Sequence, residues 1–234
     1  MLYELSLKIS NRLPRYSDVI PKAQIEPFTS ISSGDENNQC VMKLFSHLGT
    51  HLDAPYHFCE NGQSIDALKI DSFRFQKALR VDAHAERGGR IDRAQLASCS
   101  GIHEADLLLI DFGYCDFFEQ EDCYRDDFPA LTLDAARYIR EDLSNVRAIA
   151  IDTLSVDGTD GAQTRYANHH VLLDFVSSVR PVLIYECVNM RPIRHIQGFF
   201  RVYGFPLRVV GADASPVTVV AETDEVEGRI CLEK

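Results

Sequence analysis

Between residues 78 and 188 the sequence alternates short, continuously apolar runs with segments of helical period, and this restricts the fold more than any other feature. Ala78–Ala83, Asp106–Phe112, Val146–Asp152 and Pro181–Val188 read as strands, with Leu107 to Ile110 uninterrupted by any polar residue. Between them, Asp92-Arg-Ala-Gln95 pairs an N-cap acid with a glutamine three residues later, which predicts the start of a short helix. Leu133–Leu143 puts Leu133, Ala136, Ile139 and Leu143 on one helical face, and Asn168–Val179 reads as a further helix. Strands without alternation must be covered on both sides, which is the mark of parallel strands joined by helices. The flanks differ. Leu2–Ile9 and Cys40–Phe45 precede this region, and Ile196–Tyr203, Phe205–Val210 and Val217–Ala221 follow it with no helical pattern among them. The expected fold is therefore mixed α/β: a single domain over 1–234 with a parallel βαβ core and antiparallel strands contributed by both ends of the sequence. Residues 11–37, rich in Pro, Ser, Asn and Asp, read as one long loop, and loops of that length are commonly functional or disordered.

Charge narrows the range of partners. The chain of 234 residues carries 24 Lys plus Arg against 35 Asp plus Glu, a formal net charge of −11. Such a surface repels nucleic-acid backbones and anionic lipid, so a small-molecule substrate is expected, with no nucleic acid and no membrane as partner. No apolar stretch approaches the roughly 18 residues that span a bilayer, and the interleaved charges of the first nine residues do not read as a secretory signal. Seven cysteines, scattered and without a C-x-x-C pair, read as reduced thiols of a cytoplasmic protein.

The chemistry concentrates in Ser46-His-Leu-Gly-Thr-His-Leu-Asp-Ala-Pro-Tyr-His-Phe58, which holds three of the eight histidines. His47, His51, Asp53 and His57 follow one another at even spacings, so an extended segment projects all four from one face. Gly49 and Pro55 disfavour a helix here. Imidazole and carboxylate together suit zinc, and also manganese or iron. Further ligands are expected from elsewhere. His169 or His170 opens a predicted helix, and Glu186 lies in an apolar strand, where an unpaired carboxylate would cost several kcal/mol. An ion pair with Arg191 is the alternative for Glu186, and Asp157 is a candidate to orient a ligand histidine.

Residues 47–57, His-x-Gly-Thr-His-x-Asp-x-Pro-x-His, resemble the motif of the cyclase family, which includes bacterial kynurenine formamidases and isatin hydrolases. The resemblance continues through Leu2-Tyr-Glu-Leu-Ser6, the stretch Tyr124–Tyr138, Ser155-Val-Asp157 with His169-x-x-Leu-Leu173, and Gly211-Ala-Asp-Ala-Ser-Pro216. It implies a fold of the swivelling β/β/α kind, a homodimer or homotetramer, and a metal-dependent hydrolase of a small amide, lactam or formamide. In that reading His47, His51, Asp53, His169 and Glu186 are metal ligands, with Asp53 a bridge. His57 is the acid/base beside a metal-bound water nucleophile, and the cofactor is one or two divalent ions, Zn2+ first and Mn2+ second. His169 and Glu186 lie 17 residues apart, wider than the resemblance leads one to expect, which keeps His170 as the alternative ligand. The chain has no tryptophan, so an aromatic shelf for a substrate falls to Tyr16 or Phe28. A metal-dependent cyclase or dehydratase and a non-catalytic metal-binding protein are the competing readings.

Other signals are weaker. Asp111-Phe-Gly113 copies a kinase tripeptide without the loops that belong with it. Gly158-Thr-Asp-Gly161 lacks the Lys-Ser/Thr of a phosphate loop. Cys59, close to the histidines, reads as a bystander thiol, and His84, His103 and His195 as solvent-facing or satisfied residues.

Overall fold

The computed structural model describes residues 1–174 and 179–224. Its strands in chain order are β1 (Leu2–Glu4), β2 (Gln24–Thr29), β3 (Gln39–Lys43), β4 (His51–Asp53), β5 (Arg74–Asp82), β6 (Arg90–Ile91), β7 (Leu107–Asp111), β8 (Ala130–Leu131), β9 (Ala148–Ile151), β10 (Leu183–Glu186), β11 (Phe199–Pro206) and β12 (Ala214–Glu222). The α-helices are α1 (Arg93–Ala97), α2 (Glu121–Arg125), α3 (Leu133–Arg137) and α4 (Ala167–Leu173).

The four apolar runs become the parallel strands β5, β7, β9 and β10. Every residue of β7, β9 and β10 is buried, as strands covered on both faces require. Antiparallel partners from the two ends of the chain complete the sheet. β11 pairs with β5 and with β12, and β4 pairs with β10 on one side and with the start of β12 on the other. β12 therefore links both ends of the sheet, which closes into a barrel, with β1 added beside the far half of β12. The parallel core with antiparallel strands at both ends is the arrangement the pattern predicts. Closure has a direct consequence for β4. Although only three residues long, it has a partner on each edge and is wholly buried.

Several elements differ from expectation. The first strand covers Leu2–Glu4 rather than Leu2–Ile9. The 11–37 stretch is not loop throughout, because Gln24–Thr29 forms a hairpin with β3. Phe205–Val210 is not a strand of its own: β11 runs through Pro206, and Leu207, Val209 and Val210 are exposed. The helix predicted at Leu133 changes period partway, with α3 followed by a π-helical turn, Tyr138–Asp142. That turn buries Arg140, which donates to the carbonyls of Leu172 and Asp174 and so ties down the end of α4. The predicted helix Asn168–Val179 corresponds to α4, which ends at Leu173; residues 175–178 lie outside the described residues. The capping box at Asp92 and Gln95 is present in both directions. The six described cysteines are free thiols, and no described helix is long and apolar enough to cross a membrane.

Asp152, at the end of β9, anchors the loops beside the barrel mouth. It is fully buried and accepts hydrogen bonds from the amides of Phe112 (2.9 Å) and Cys115 (2.8 Å). Burial, reinforced by the charge of Asp111, pushes its carboxyl up to about 6 against these stabilising amides. A raised folded-state pKa gives stability that is complete below the unfolded value of 3.8 and lost as the pH rises through about 6. Replacing Asp152 by Asn removes that titration. The stability of the natural chain relative to Asp152→Asn should therefore fall by about 1.4 kcal/mol between pH 5 and pH 8. Urea unfolding of both proteins at the two pH values measures this, and a difference independent of pH would contradict it.

Candidate metal centre

Closure of the barrel decides which side chains meet. In β4, His51 and Asp53 are two residues apart and share a face, while Leu52 points the other way into the core. Glu186, the last residue of β10, stands directly opposite His51 in the antiparallel register, so the two side chains lie side by side. His169 enters from α4. The carboxylate of Asp157 organises the start of that helix, accepting from the amides of Asn168 (2.8 Å) and His169 (3.3 Å) and from the His169 ring at Nδ1 (2.5 Å). Asp157 is thus the partner that orients a histidine.

His47 and His57 arrive by a different route from the one expected. The segment 46–58 is not extended throughout, and the four side chains do not share one strand face. His47 sits in a turn before β4, where Gly49 takes φ of +64°, and His57 ends a 3-10 turn, Pro55–His57, that Pro55 initiates. The bends on either side of β4 fold both rings back toward Asp53. Gly62 is required by this packing, since a Cβ there would lie 2.5 Å from the Pro55 carbonyl carbon. The two imidazoles lie against each other, tilted by 39°, with ring centroids 4.1 Å apart.

All six predicted residues therefore come together. His169 is buried at the centre, whereas His170 is exposed. Glu186 does not pair with Arg191, which binds Asp116 and Glu119 instead. Tyr16 reaches the site, but Phe28 projects into solvent on the hairpin. Asp213 was absent from the sequence-level candidates. Its Oδ2 receives hydrogen bonds from His47 Nε2 (2.8 Å) and His57 Nδ1 (3.1 Å). The only hint is its place in the Gly211–Pro216 segment, where nothing in the residue type marks it as special.

The distances test whether these atoms suit a cation. His51 Nε2 lies 3.4 Å from Asp53 Oδ1 and 3.4 Å from Glu186 Oε2. His169 Nε2 lies 3.6 Å from Asp53 Oδ2 and 3.5 Å from Glu186 Oε1. These are too long or misaligned for good hydrogen bonds. They match the roughly 3.3–3.6 Å separating two donors held about 2.0–2.2 Å from one tetrahedral ion. Each carboxylate turns one oxygen toward His51 and the other toward His169. His47 Nδ1 completes the group, 3.0 Å from Asp53 Oδ1. Both oxygens of Asp53 and Nε2 of His51 are buried without any hydrogen-bond partner. Buried polar atoms are ordinarily satisfied, so three orphans in one cluster of imidazoles and carboxylates fit divalent-cation binding.

The remaining ring nitrogens are all engaged outward. His51 Nδ1 donates to the Gly49 carbonyl (2.8 Å), His169 Nδ1 to Asp157 and His47 Nε2 to Asp213. Each histidine thus presents its free nitrogen to the centre. Burial disfavours the charged His47 ring, but Asp53 and Asp213 outweigh it and hold the imidazolium up to about 10. His169 is raised in the same way by Asp157, Asp53 and Glu186, and the histidines keep Asp53 well below the usual carboxylate range despite its burial. Protons here do the work that a cation would do.

Beside the centre lies a cavity of about 310 Å³. Its walls are mostly aromatic and apolar: Tyr16, Ile20, Phe45, Phe58, Leu154 and Tyr166, with Ser155 among the few polar groups. Two consecutive residues, Arg165 and Tyr166, have φ of +56° and +52°, a conformation that side chains rarely adopt, and they set the Tyr166 ring against Phe58.

Known proteins resemble this chain over most of its length. The family model described as "Putative cyclase" matches residues 3–158. The chain belongs to the cyclase family. It is 27% identical over 225 residues to a kynurenine formamidase from Salinibacter ruber, covering 92% of this chain and 95% of that protein. It shares its fold with isatin hydrolase A from Labrenzia aggregata, with a TM-score of 0.79 at 18% identity, covering 94% of this chain and 93% of that one. A solved structure described as a potential metal-dependent hydrolase with cyclase activity aligns with a TM-score of 0.73 at 24% identity, covering 94% and 96%.

Asp53→Asn keeps the shape of the side chain but removes the charge at the middle of the cluster. After equilibration with zinc and desalting, that variant should retain less than a tenth of the metal bound by the natural chain, as measured by elemental analysis. Equal metal content would remove Asp53 from the candidate ligands.

Proposed function

We propose that this cyclase-family chain, as one domain over residues 1–234, is a metal-dependent hydrolase that cleaves the C–N bond of a small amide, lactam or formamide. The reading rests on one observation above the others: buried, unsatisfied donor atoms of His51 and Asp53 converge with Glu186, His169 and His47 beside an aromatic cavity. The ligands are His47, His51, Asp53, His169 and Glu186. The divided orientation of both carboxylates favours two ions over one. Nitrogen and carboxylate donors at these separations favour Zn2+, with Mn2+ the second choice.

A divalent ion held there polarises the substrate carbonyl and makes water a stronger acid. The chain's own groups do the rest. The aromatic walls hold the flat, apolar part of a substrate and exclude bulk water, while the open side of the centre admits its carbonyl. Hydrolysis adds water to that carbonyl and expels nitrogen, which leaves readily only when protonated. His57 lines the cavity, and its Nε2 has no hydrogen-bond partner among the described residues. Imidazole exchanges protons near neutral pH, so His57 can take a proton from the attacking water and deliver it to the departing nitrogen.

The same motif segment supports a catalytic over a purely structural ion, because a structural site is closed by protein ligands and needs no free imidazole at a cavity wall. Chelator treatment separates the two readings: turnover lost with the fold intact supports the hydrolase, whereas unfolding supports a structural ion. Among substrates, an aromatic formamide or a lactam suits the cavity, and the names of the relatives point the same way. Free thiols favour a cytoplasmic location.

A homodimer or homotetramer is part of this proposal. The β2–β3 hairpin leaves Phe28 70%, Met42 61%, Val41 56% and Ile25 45% exposed. A two-stranded ribbon with apolar residues in water is marginal by itself, and a second copy of the chain would cover it. Light scattering should report an oligomer, and Phe28→Glu with Met42→Glu should shift it toward monomer; a monomeric natural chain would refute this.

His57→Ala tests the proposed chemistry. The variant should keep its metal yet lose at least about 10²-fold in kcat on whichever formamide or lactam the natural chain turns over. Parallel loss of metal would make His57 a ligand instead.

A further inference from the structure

Asp213 has no part in the function so far described, and its surroundings assign it one. Its backbone is fixed: its carbonyl accepts from the Ala54 amide at 2.9 Å, and the next residue, Ala214, pairs with Asp53 in the β12–β4 ladder. The start of β12 therefore sets this carboxylate against the rings of His47 and His57. One oxygen, Oδ2, receives both contacts.

A carboxylate only accepts, so the two ring nitrogens that touch it both carry hydrogen. His47 is thereby protonated at Nε2, which leaves Nδ1 as the nitrogen facing Asp53. His57 is protonated at Nδ1, which leaves Nε2 directed to the cavity. These are the two nitrogens that the proposed function requires, one for a metal and one for a proton. His51 and His169 are oriented by the same device, through the Gly49 carbonyl and the Asp157 carboxylate. Asp213 differs in serving two rings at once.

We propose that Asp213 is a positioning residue shared by His47 and His57, which fixes the tautomer of both and so joins the metal centre to the acid/base. The proposal rests on the hydrolase reading for the role of His57, though not for its effect on His47.

The test uses Asp213→Asn and Asp213→Ala, each alone and combined with His57→Ala, with folding of every variant checked by circular dichroism. An asparagine oxygen in the place of Oδ2 carries no charge and so holds both rings more weakly, and alanine offers no acceptor at all. Competition with graded concentrations of a chelator should show zinc held 10- to 100-fold more weakly in both single variants. At saturating zinc, kcat should fall at least tenfold with KM changed less than threefold. On the His57→Ala background the same substitutions should cost no further kcat, because the group through which Asp213 acts is gone. Zinc affinity equal to that of the natural chain, or losses in kcat that add fully in the double variants, would overturn the proposal. If the natural chain binds zinc but turns over no amide, while Asp213→Asn still weakens zinc, the hydrolase reading fails and the link to His47 stands.

Discussion

The buried carboxylate of Asp53 is the constraint around which the rest is arranged. It has no exposure to solvent and no hydrogen bond to either oxygen. Taking such a group out of water costs several kcal/mol unless an opposite charge compensates it. Four imidazoles and the Glu186 carboxylate surround it, and with Asp53 and Asp213 three of the seven groups are acids. Unless the histidines carry protons, this set has an excess of negative charge in a poorly polarisable interior. A divalent cation resolves that excess and satisfies the orphaned lone pairs in one step. The outward hydrogen bonds of His47, His51 and His169 then follow, since each ring must present an unprotonated nitrogen to the cluster.

Barrel closure is what makes the cluster affordable to assemble. The chain separation between His47 and Asp213 is too great for local structure to bring them together, and the strand ladders do it instead. β4 is clasped between β10 and β12, so Asp53, Glu186 and Asp213 are set by register rather than by flexible loops. Sites on strands hold their geometry more tightly than sites on loops. The helix that brings His169 is only seven residues long, yet it is fixed at its start by Asp157 and at its end by Arg140.

The sequence carried most of this architecture, but unevenly. Continuous apolar runs identified β5, β7, β9 and β10, because burial on both faces leaves a pattern that local sequence cannot hide. The histidine motif marked the cluster for a similar reason: few other arrangements place so many imidazoles and an acid so close together. What failed was the conformation of that motif. Even spacing implied a strand through His57, whereas Gly49 and Pro55 bend the chain on both sides of a three-residue β4. These two residues exclude a helix, but they equally mark turns, and the turns set the conformation. Asp213 was not legible at all, since its role depends on the β12–β4 pairing and a lone aspartate before an apolar strand is ordinary. The 24–29 strand was missed because its burial pattern is exposed on both faces, so it lacks the periodicity by which strands are recognised.

The centre and the cavity walls are built from different material, and this bears on how one fold serves different substrates. Of the candidate ligands, His51, Asp53 and Glu186 lie on barrel strands, His47 in the turn before β4 and His169 on α4. The walls come from connecting segments: Tyr16 and Ile20 from the long segment before β2, Phe58 from the turn after β4, and Tyr166 from the strained pair that precedes α4. Loops accept substitution with little cost to the core, while a strand residue in register with a ligand does not. Reaction type is therefore tied to the barrel and substrate choice to its rim. On that division the lack of tryptophan leaves the hydrolytic centre intact. Tyr16 occupies the wall, half-buried, its hydroxyl donating to the Gly158 carbonyl at 3.3 Å. Burial, with the negative charges nearby, pushes that phenol up to about 12, so it stays neutral and keeps its one hydrogen on the Gly158 carbonyl while the ring forms the wall.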